Sequence, residues 1–185
     1  MASLVYTTSQ SLNDLEGIIE LQRNNLAVNL AIDEISSQGF VTVVHHVDDL
    51  KKMNYIEQHV ICKDGEKVVA YLLSMTVHSQ NDIPVLIPMF DLFKKISFMD
   101  KSVAAYNYIV VGQVCIDKDY RGQGVLDKCY AFYKDCFKRK YDFAITEIAT
   151  RNQRSIKAHE RIGFNEIHRY TSADNEEWSI VVWEW

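Results

Sequence analysis

The stretch YIVVGQVCIDKDYRGQGVL, residues 108–126, decides the fold of this chain. Its beginning, YIVVGQVCI, is apolar on both faces apart from Gln113, which is typical of a central strand covered on each side. Gly122 and Gly124 follow this apolar strand pattern, directly before apolar residues recur at helical spacing. The sequence therefore predicts a buried strand, a glycine turn and a helix in direct succession.

A helix that begins at such a turn exposes backbone N–H groups that carry partial positive charge and lack acceptors. Gly122 and Gly124 remove the side chains that would keep a phosphate from the backbone, and Arg121 adds a cation. A Walker loop would need Gly-Lys followed by Ser or Thr, and a dinucleotide fingerprint would need a third glycine at Asp127. The turn by itself is equally compatible with tight strand-to-helix packing, so a second motif is needed.

That second motif is NQRSIKAHERIGF, residues 152–164, which follows a helical pattern and another apolar strand, DFAITEIAT. Asn152 or Ser155 is suited to cap its helix, and Gly163 is suited to end it in the left-handed conformation. Together, YRGQGVL and NQRSIKAHERIGF resemble the two acyl-CoA binding motifs of the GNAT superfamily of N-acetyltransferases. The resemblance is strong over residues 108–164, and the flanking segments agree in the order of their elements.

The resemblance implies an α+β (mixed α/β) GNAT fold. This fold has a central, mostly antiparallel mixed sheet of about seven strands, with splayed parallel fourth and fifth strands and flanking helices. The segment HVICKDGEKVVAYLLSM indicates a hairpin before the motifs, and EIHRYTSADNEEWSIVVWEW indicates a closing strand pair after them. Because the length suits one hydrophobic core, we expect a single acyl-CoA N-acyltransferase domain over residues 1–185.

The resemblance also implies where acetyl-CoA binds. The strand before the glycine turn would offer backbone groups to pantetheine, the turn and helix start would bind the diphosphate, and the second motif would complete the site. The family pattern has Gly or Ala where this chain has Leu126, whose backbone N–H can still donate. The expected contacts are Val114, Cys115, Ile116, Arg121, Gly122, Gln123, Gly124, Val125, Leu126, Asn152, Ser155 and His159.

The implied reaction is transfer of an acetyl group to a primary amine by direct attack in a ternary complex. Glu147, inside the apolar run ITEIA, is the candidate base that deprotonates the substrate ammonium, and burial would raise its pKa. An ion pair with Arg151 or Arg154 is the purely structural alternative. His159 stands where the second motif usually carries a tyrosine that protonates the departing thiolate, and an imidazole can also donate a proton.

Two other functions stay open at this point. The chain lacks both the usual acid and the usual base types, which favours a non-catalytic acyl-CoA-binding sensor or regulatory module as the alternative. If the glycine turn serves only packing, the chain is a small α+β interaction domain without CoA affinity. An acylated Cys115 has little support, because a strand cysteine without an evident base is typical of packing.

Charge and composition argue against several partners. The net charge of -5 gives no long-range attraction to nucleic acid or an anionic membrane surface. The chain has neither an N-terminal leader pattern nor an apolar run near the ~18 residues of a spanning helix, so we expect a soluble protein. Four cysteines without a CxxC pair favour a reduced, cytoplasmic setting. Since His45 and His46 have no partner at ligand spacing, no metal is expected.

The acceptor is left unidentified by the sequence. An amine-bearing small molecule or peptide is expected, and residues 27–44 and 78–107 are expected to line its pocket because long connections often shape substrate sites. The length of the acyl group is equally open. A homodimer through the terminal strands, with Trp178, Trp183 and Trp185, is a further alternative.

Overall fold

A computed structural model of the chain describes residues 3–31, 35, 38–81 and 83–185. Within these residues it has nine strands and five α-helices, besides short 3-10 turns. The strands are β1 (Val5–Thr8), β2 (Val60–Asp64), β3 (Lys67–Met75), β4 (Ser97–Phe98), β5 (Lys101–Ser102), β6 (Tyr108–Ile116), β7 (Phe143–Ala149), β8 (Asn165–Thr171) and β9 (Glu177–Glu184). The helices are α1 (Leu12–Asn25), α2 (Val47–Ile56), α3 (Ile87–Phe93), α4 (Val125–Phe137) and α5 (Gln153–Ile162).

Seven strands form one mixed sheet in the order β1-β2-β3-β6-β7-β9-β8, and β4 pairs with β5 as a separate hairpin. Strands β6 and β7 are parallel, whereas the other neighbours in the sheet are antiparallel. The parallel pair occupies the fourth and fifth positions of the sheet. The expected α+β fold is therefore confirmed.

Local signals in the sequence account for most element ends. The hairpin of β2 and β3 turns at Gly65, which has φ of 58°. Helix α1 begins with a capping box, in which the Ser11 hydroxyl accepts from the Asp14 N–H and the Asp14 carboxylate accepts from the Ser11 N–H. Helix α5 is capped by Asn152 and ends at Gly163, which has φ of 114°. These features confirm the predicted hairpin and helices.

Outside the two motifs, the sequence also predicts a short helix opened by Asp48 in VDDLKKMN, an extended run in GFVTVV and a less regular helix over residues 27–39. The first two differ from the structure. Helix α2, expected to open at Asp48, begins at Val47 after His46, because the Asp49 carboxylate accepts a hydrogen bond from the His46 N–H at 2.9 Å. The extended run expected in GFVTVV reduces to one bridge between Val41 and Leu26. The less regular helix expected between residues 27 and 39 lies partly outside the described residues. The described part contains a 3-10 turn at Ala27–Asn29, and residues 35 and 38 have helical backbone.

Helices cover both faces of the sheet. Helices α1, α2 and α3 pack on one face around Ile18, Met53 and Phe93, which are almost fully buried. Helix α4 packs on the other face through Tyr130 and Tyr133. None of the described helices is both long and apolar enough to cross a membrane, and no group of three or more His, Cys, Asp or Glu residues suited to a metal occurs among the described residues.

Candidate active site

The parallel strands β6 and β7 pair only at their beginnings. Their register runs from Tyr108 with Phe143 to Val110 with Ile145 and ends there. On its other edge, β6 has an extra residue opposite β3, because two β6 residues lie between the partners of Leu72 and Ser74. A bulge of this kind bends the strand that carries it. The two parallel strands consequently part, and a cleft opens between them.

This cleft has a volume of about 710 Å³. Its wall combines the end of β6, the glycine turn, the starts of α4 and α5, and residues 38–41. Among the described residues its charged lining is four cations and one carboxylate: Arg121, Arg154, Lys157, Arg161 and Asp127. The cleft is thus locally basic on a chain with a net charge of -5, so it favours an anionic ligand.

The glycine turn presents its backbone amides to this cleft. Gly122 and Gly124 both adopt the left-handed conformation, with φ of 74° and 73°. No described acceptor receives a hydrogen bond from the amides of residues 122–127, and Gly124 caps α4 without a side-chain bond. A Cβ atom placed on either glycine would meet nothing within 4 Å. The turn therefore offers unsatisfied donors next to open space, which suits a diphosphate.

Two side chains of the turn point back into the protein. Arg121 donates from Nε to the Ile116 carbonyl at 3.0 Å and from Nη2 to Asn25 Oδ1 at 2.6 Å. Gln123 donates from Nε2 to the Asp119 carbonyl at 2.8 Å. The Arg121 bonds brace the loop against β6 and α1, and the Gln123 bond lies within the loop, so a ligand would meet mainly the backbone of the turn.

The end of β6 forms the inner wall of the cleft. Val114, Cys115 and Ile116, the residues expected to contact pantetheine, all line it. Burial raises the pKa of the Cys115 thiol to about 12. A thiol of this pKa is protonated at neutral pH and is a poor nucleophile. This agrees with a packing role for the Cys115 side chain.

Asn152 joins α5 to the opposite wall of the cleft. Its Oδ1 atom accepts a hydrogen bond from the Ser155 N–H at 3.2 Å, and its Nδ2 atom donates to the Phe40 carbonyl at 3.1 Å. Asn152 and Ser155 both line the cleft. Asn152 is therefore the helix cap, and it also holds residues 38–41 against the cleft.

His159 lies at the boundary between the cleft and the core, 5% exposed. Its Nδ1 atom is 2.8 Å from the Ser155 carbonyl, which only accepts, so Nδ1 carries the proton. Its Nε2 atom is 2.7 Å from the Tyr130 hydroxyl and is the acceptor of that bond. Burial lowers the pKa of His159 to about 4. The imidazole is therefore neutral at physiological pH, with both nitrogens engaged.

Glu147 lies in a smaller pocket of about 100 Å³ that shares Phe40, Val114 and His159 with the cleft. The Tyr170 hydroxyl donates to its Oε2 atom at 2.7 Å. Burial raises the pKa of Glu147, and this outweighs the lowering effect of the Tyr170 bond. The suggested pairing with Arg151 does not occur, because the Arg151 Nε atom contacts Glu176 at 2.6 Å.

Several residues of the site escaped the sequence analysis. Tyr170 lies on β8 and reaches Glu147 only because β9 brings the two strands together, so no local signal points to it. Lys157 and Arg161 line the cleft beside Arg154. Their spacing of three and four residues is a readable signal, since it puts all three cations on one helix face.

The chain belongs to the acetyltransferase (GNAT) family, because the model of that family matches residues 30–164. This finding confirms the resemblance inferred from the two motifs. Members of the family are in general acetyl-CoA-dependent N-acetyltransferases, which acetylate amines.

Solved structures share the fold at low sequence identity. The ribosomal-protein-S18-alanine N-acetyltransferase from Escherichia coli is 15% identical, with a TM-score of 0.62, covering 98% of this chain and 94% of that one. A chain of the NatC complex bound to Gag peptide and CoA is 12% identical, with a TM-score of 0.66 and 99% coverage of both chains. The yncA structure from Salmonella typhimurium with its cofactor acetyl-CoA is 12% identical, with a TM-score of 0.63, covering 98% and 93%. No curated protein matches the sequence significantly.

Proposed function

We propose that this protein is an N-acetyltransferase that transfers the acetyl group of acetyl-CoA to a primary amine within a ternary complex. The observation that carries the proposal is the set of unsatisfied amides of residues 122–127 at the mouth of a basic cleft between parted strands. We propose further that residues 1–185 form one domain with one such site.

The residues of the cleft fit acetyl-CoA in both charge and hydrogen bonding. The amides from Gly122 to Leu126 would hold its diphosphate, and the cations Arg154, Lys157 and Arg161 would lie beside its phosphates. The free edge of β6 at residues 114–116 would hydrogen bond to pantetheine. Asn152 and Ser155 would contact the cofactor from the α5 side.

Glu147 is proposed as the base. It would take one proton from the substrate ammonium, and the freed nitrogen lone pair would form the new C–N bond with the thioester carbonyl carbon. The C–S bond then breaks, and the second ammonium proton ends on the sulfur, giving an amide and CoA thiol. Tyr170 would hold the Glu147 carboxylate in place. The raised pKa suits this role, because a base works best with a pKa near the operating pH.

His159 is proposed to position the reacting end of the site. Proton donation from His159 to the departing sulfur would require the Nδ1–H to leave the Ser155 carbonyl, since Nε2 has no proton to give. A thiol with a pKa of about 8.5 is already a fair leaving group, so strong acid assistance is not needed. The proposed contribution of His159 is therefore to fix Ser155 and the start of α5 beside the thioester.

Thiol release from acetyl-CoA in the presence of pooled primary amines tests the proposal. The expected result is amine-dependent release of CoA thiol, with Glu147→Gln lowering kcat by roughly 100- to 10,000-fold while CoA affinity is retained. Glu184→Gln is the matched control, because Glu184 is an exposed carboxylate on the strand next to β7.

The same experiment separates the alternatives. Tight CoA binding by calorimetry together with no transfer to any amine would reject the enzyme and favour the acyl-CoA sensor. Absence of CoA binding would reject both and leave a glycine turn that serves packing only.

A further inference from the structure

The pocket around Glu147 is lined by more apolar than polar residues. It has a volume of about 100 Å³ and adjoins the cofactor cleft along Phe40, Val41 and Val114. Apolar side chains from several separate segments line it, among them Met75, Leu86, Met89 and Trp178. A pocket with such walls binds hydrocarbon groups by removing their surface from water.

The polar side chains in this wall already have partners. Gln113 accepts from the Tyr71 hydroxyl at 2.6 Å and donates to the Val43 carbonyl at 2.8 Å. Thr146 donates to the Val111 carbonyl at 2.8 Å. Asn152, Ser155 and His159 have the partners described above. Apart from the exposed Thr42, the polar side chains that line the pocket beside Glu147 are thus hydrogen bonded within the described residues, and they have little to offer a polar ligand.

The Glu147 carboxylate is the exception. Among the described residues only the Tyr170 hydroxyl donates to it, at Oε2, so the carboxylate of this pocket-lining residue keeps acceptor capacity for a ligand. Glu147 is also the only carboxylate that lines the described pocket. One ammonium group therefore finds a partner here, and a second ammonium does not.

These features select among the amines that the family acetylates. A polyamine would bring further charges into apolar walls without carboxylates to pair them, which is costly. A peptide α-amine would bring a backbone carbonyl and N–H to polar side chains that are already hydrogen bonded. An amine with a hydrocarbon body meets neither cost.

Building on the proposed acetyltransferase function, we infer that the acceptor is a small primary monoamine with a short alkyl substituent. Its nitrogen contacts Glu147, and its hydrocarbon part packs against Met75, Leu86 and Met89. Each methylene buried there raises kcat/KM about four-fold. The rise ends after a few carbons, because the pocket is smaller than the roughly 150 Å³ cavity that holds benzene.

The test uses the full chain with saturating acetyl-CoA and a panel of acceptors: ethylamine, butylamine, pentylamine, spermidine and a tetrapeptide with a free N-terminus. We expect kcat/KM to rise from ethylamine to pentylamine by at least ten-fold. Spermidine and the peptide should fall at least ten-fold below pentylamine. A preference for spermidine or the peptide, or an equal response to all linear amines, would overturn the inference.

A pair of methionine variants checks that the pocket sets this preference. Met89→Ala enlarges the pocket and should shift the best chain length to a longer amine. Met53→Ala is the matched control, because Met53 is 1% exposed in the same core cluster but does not line the pocket. Equal chain-length profiles for the two variants would contradict the assignment.

Amine binding in the presence of CoA separates failure of this inference from failure of the proposed function. The thermal shift produced by pentylamine should exceed those of ethylamine and spermidine, and Glu147→Gln should reduce the shift that each amine produces. If this order holds without any thiol release, the pocket assignment stands and the transfer reaction is rejected. If transfer occurs but the order is reversed, the enzyme stands and the acceptor class is rejected.

Discussion

The two left-handed glycines of the turn allow a sharp test of cofactor binding. The perturbation is Gly124→Ala, alone and together with Gly122→Ala. Since a Cβ atom at either position meets no atom within 4 Å, the folded protein tolerates the methyl group apart from its backbone strain. An alanine at φ near 73° costs roughly 1–2 kcal/mol of folding free energy.

The cost to binding is separate and larger. The methyl groups would enter the space where a diphosphate approaches the amides of residues 122–126. A hydrogen bond from an amide to a charged phosphate oxygen is worth about 1.5–3 kcal/mol. Loss of one such bond lowers CoA affinity by roughly 10- to 150-fold.

Gly65→Ala is the control for this experiment. Gly65 also has positive φ, at 58°, and a Cβ atom there meets nothing within 4 Å, but it lies in the β2–β3 turn and not in the cleft. Calorimetric titration with CoA should show unchanged affinity for Gly65→Ala and weakened affinity for Gly124→Ala. Thermal unfolding should show similar losses of stability for both. Equal CoA affinities for the two variants would refute the assignment of the turn.

Four further predictions concern buried ionisable groups. Glu147→Gln should stabilise the fold at neutral pH and not below about pH 4.5. The reason is that a carboxyl whose pKa is raised in the folded state loses its stabilising contribution as pH rises. Thermal denaturation at both pH values checks this. The same raised pKa predicts that kcat/KM falls as pH drops through it, whereas a flat profile would exclude Glu147 as base. Burial lowers the pKa values of His45 and His159 to about 4. The part of the free energy of unfolding that these neutral histidines contribute is present above the unfolded pKa of 6.5 and should be lost as pH falls toward 4. Urea titrations between pH 8 and 4 measure this loss. The contribution of His159 is about 3 kcal/mol, and a free energy of unfolding independent of pH in this range would contradict its burial as a neutral group. Since the Cys115 thiol is protonated, intact-mass spectrometry after mixing with acetyl-CoA should detect no acetyl group on it, and an acetylated Cys115 would reject direct attack.

The sequence predicts the central elements because their signals are local. The glycines before α4, the cap and left-handed stop of α5, and the turn between β2 and β3 each depend on the conformation of a few adjacent residues. The parallel pair follows from the resemblance to the family. The fold is therefore predictable from local conformational signals and from the resemblance of the two motifs to the family.

The inner site is less predictable because it depends on contacts between distant residues. Residues 39–43 have no regular structure apart from the Val41 bridge, and they are held by Asn152 and Gln113, which lie far along the chain. The partner of Glu147 is a tyrosine two strands away in the sheet, and not the nearby Arg151. Sequence patterns identify Glu147 as unusual, but the neighbours that define its chemistry depend on how the strands pair.

A crystal structure with acetyl-CoA bound tests the central claim most directly. The account predicts diphosphate oxygens about 3 Å from the amide nitrogens between Gly122 and Leu126, with the thioester between β6 and β7 and directed toward Glu147. A diphosphate bound away from those amides, or a thioester outside the opening between the two strands, would contradict it.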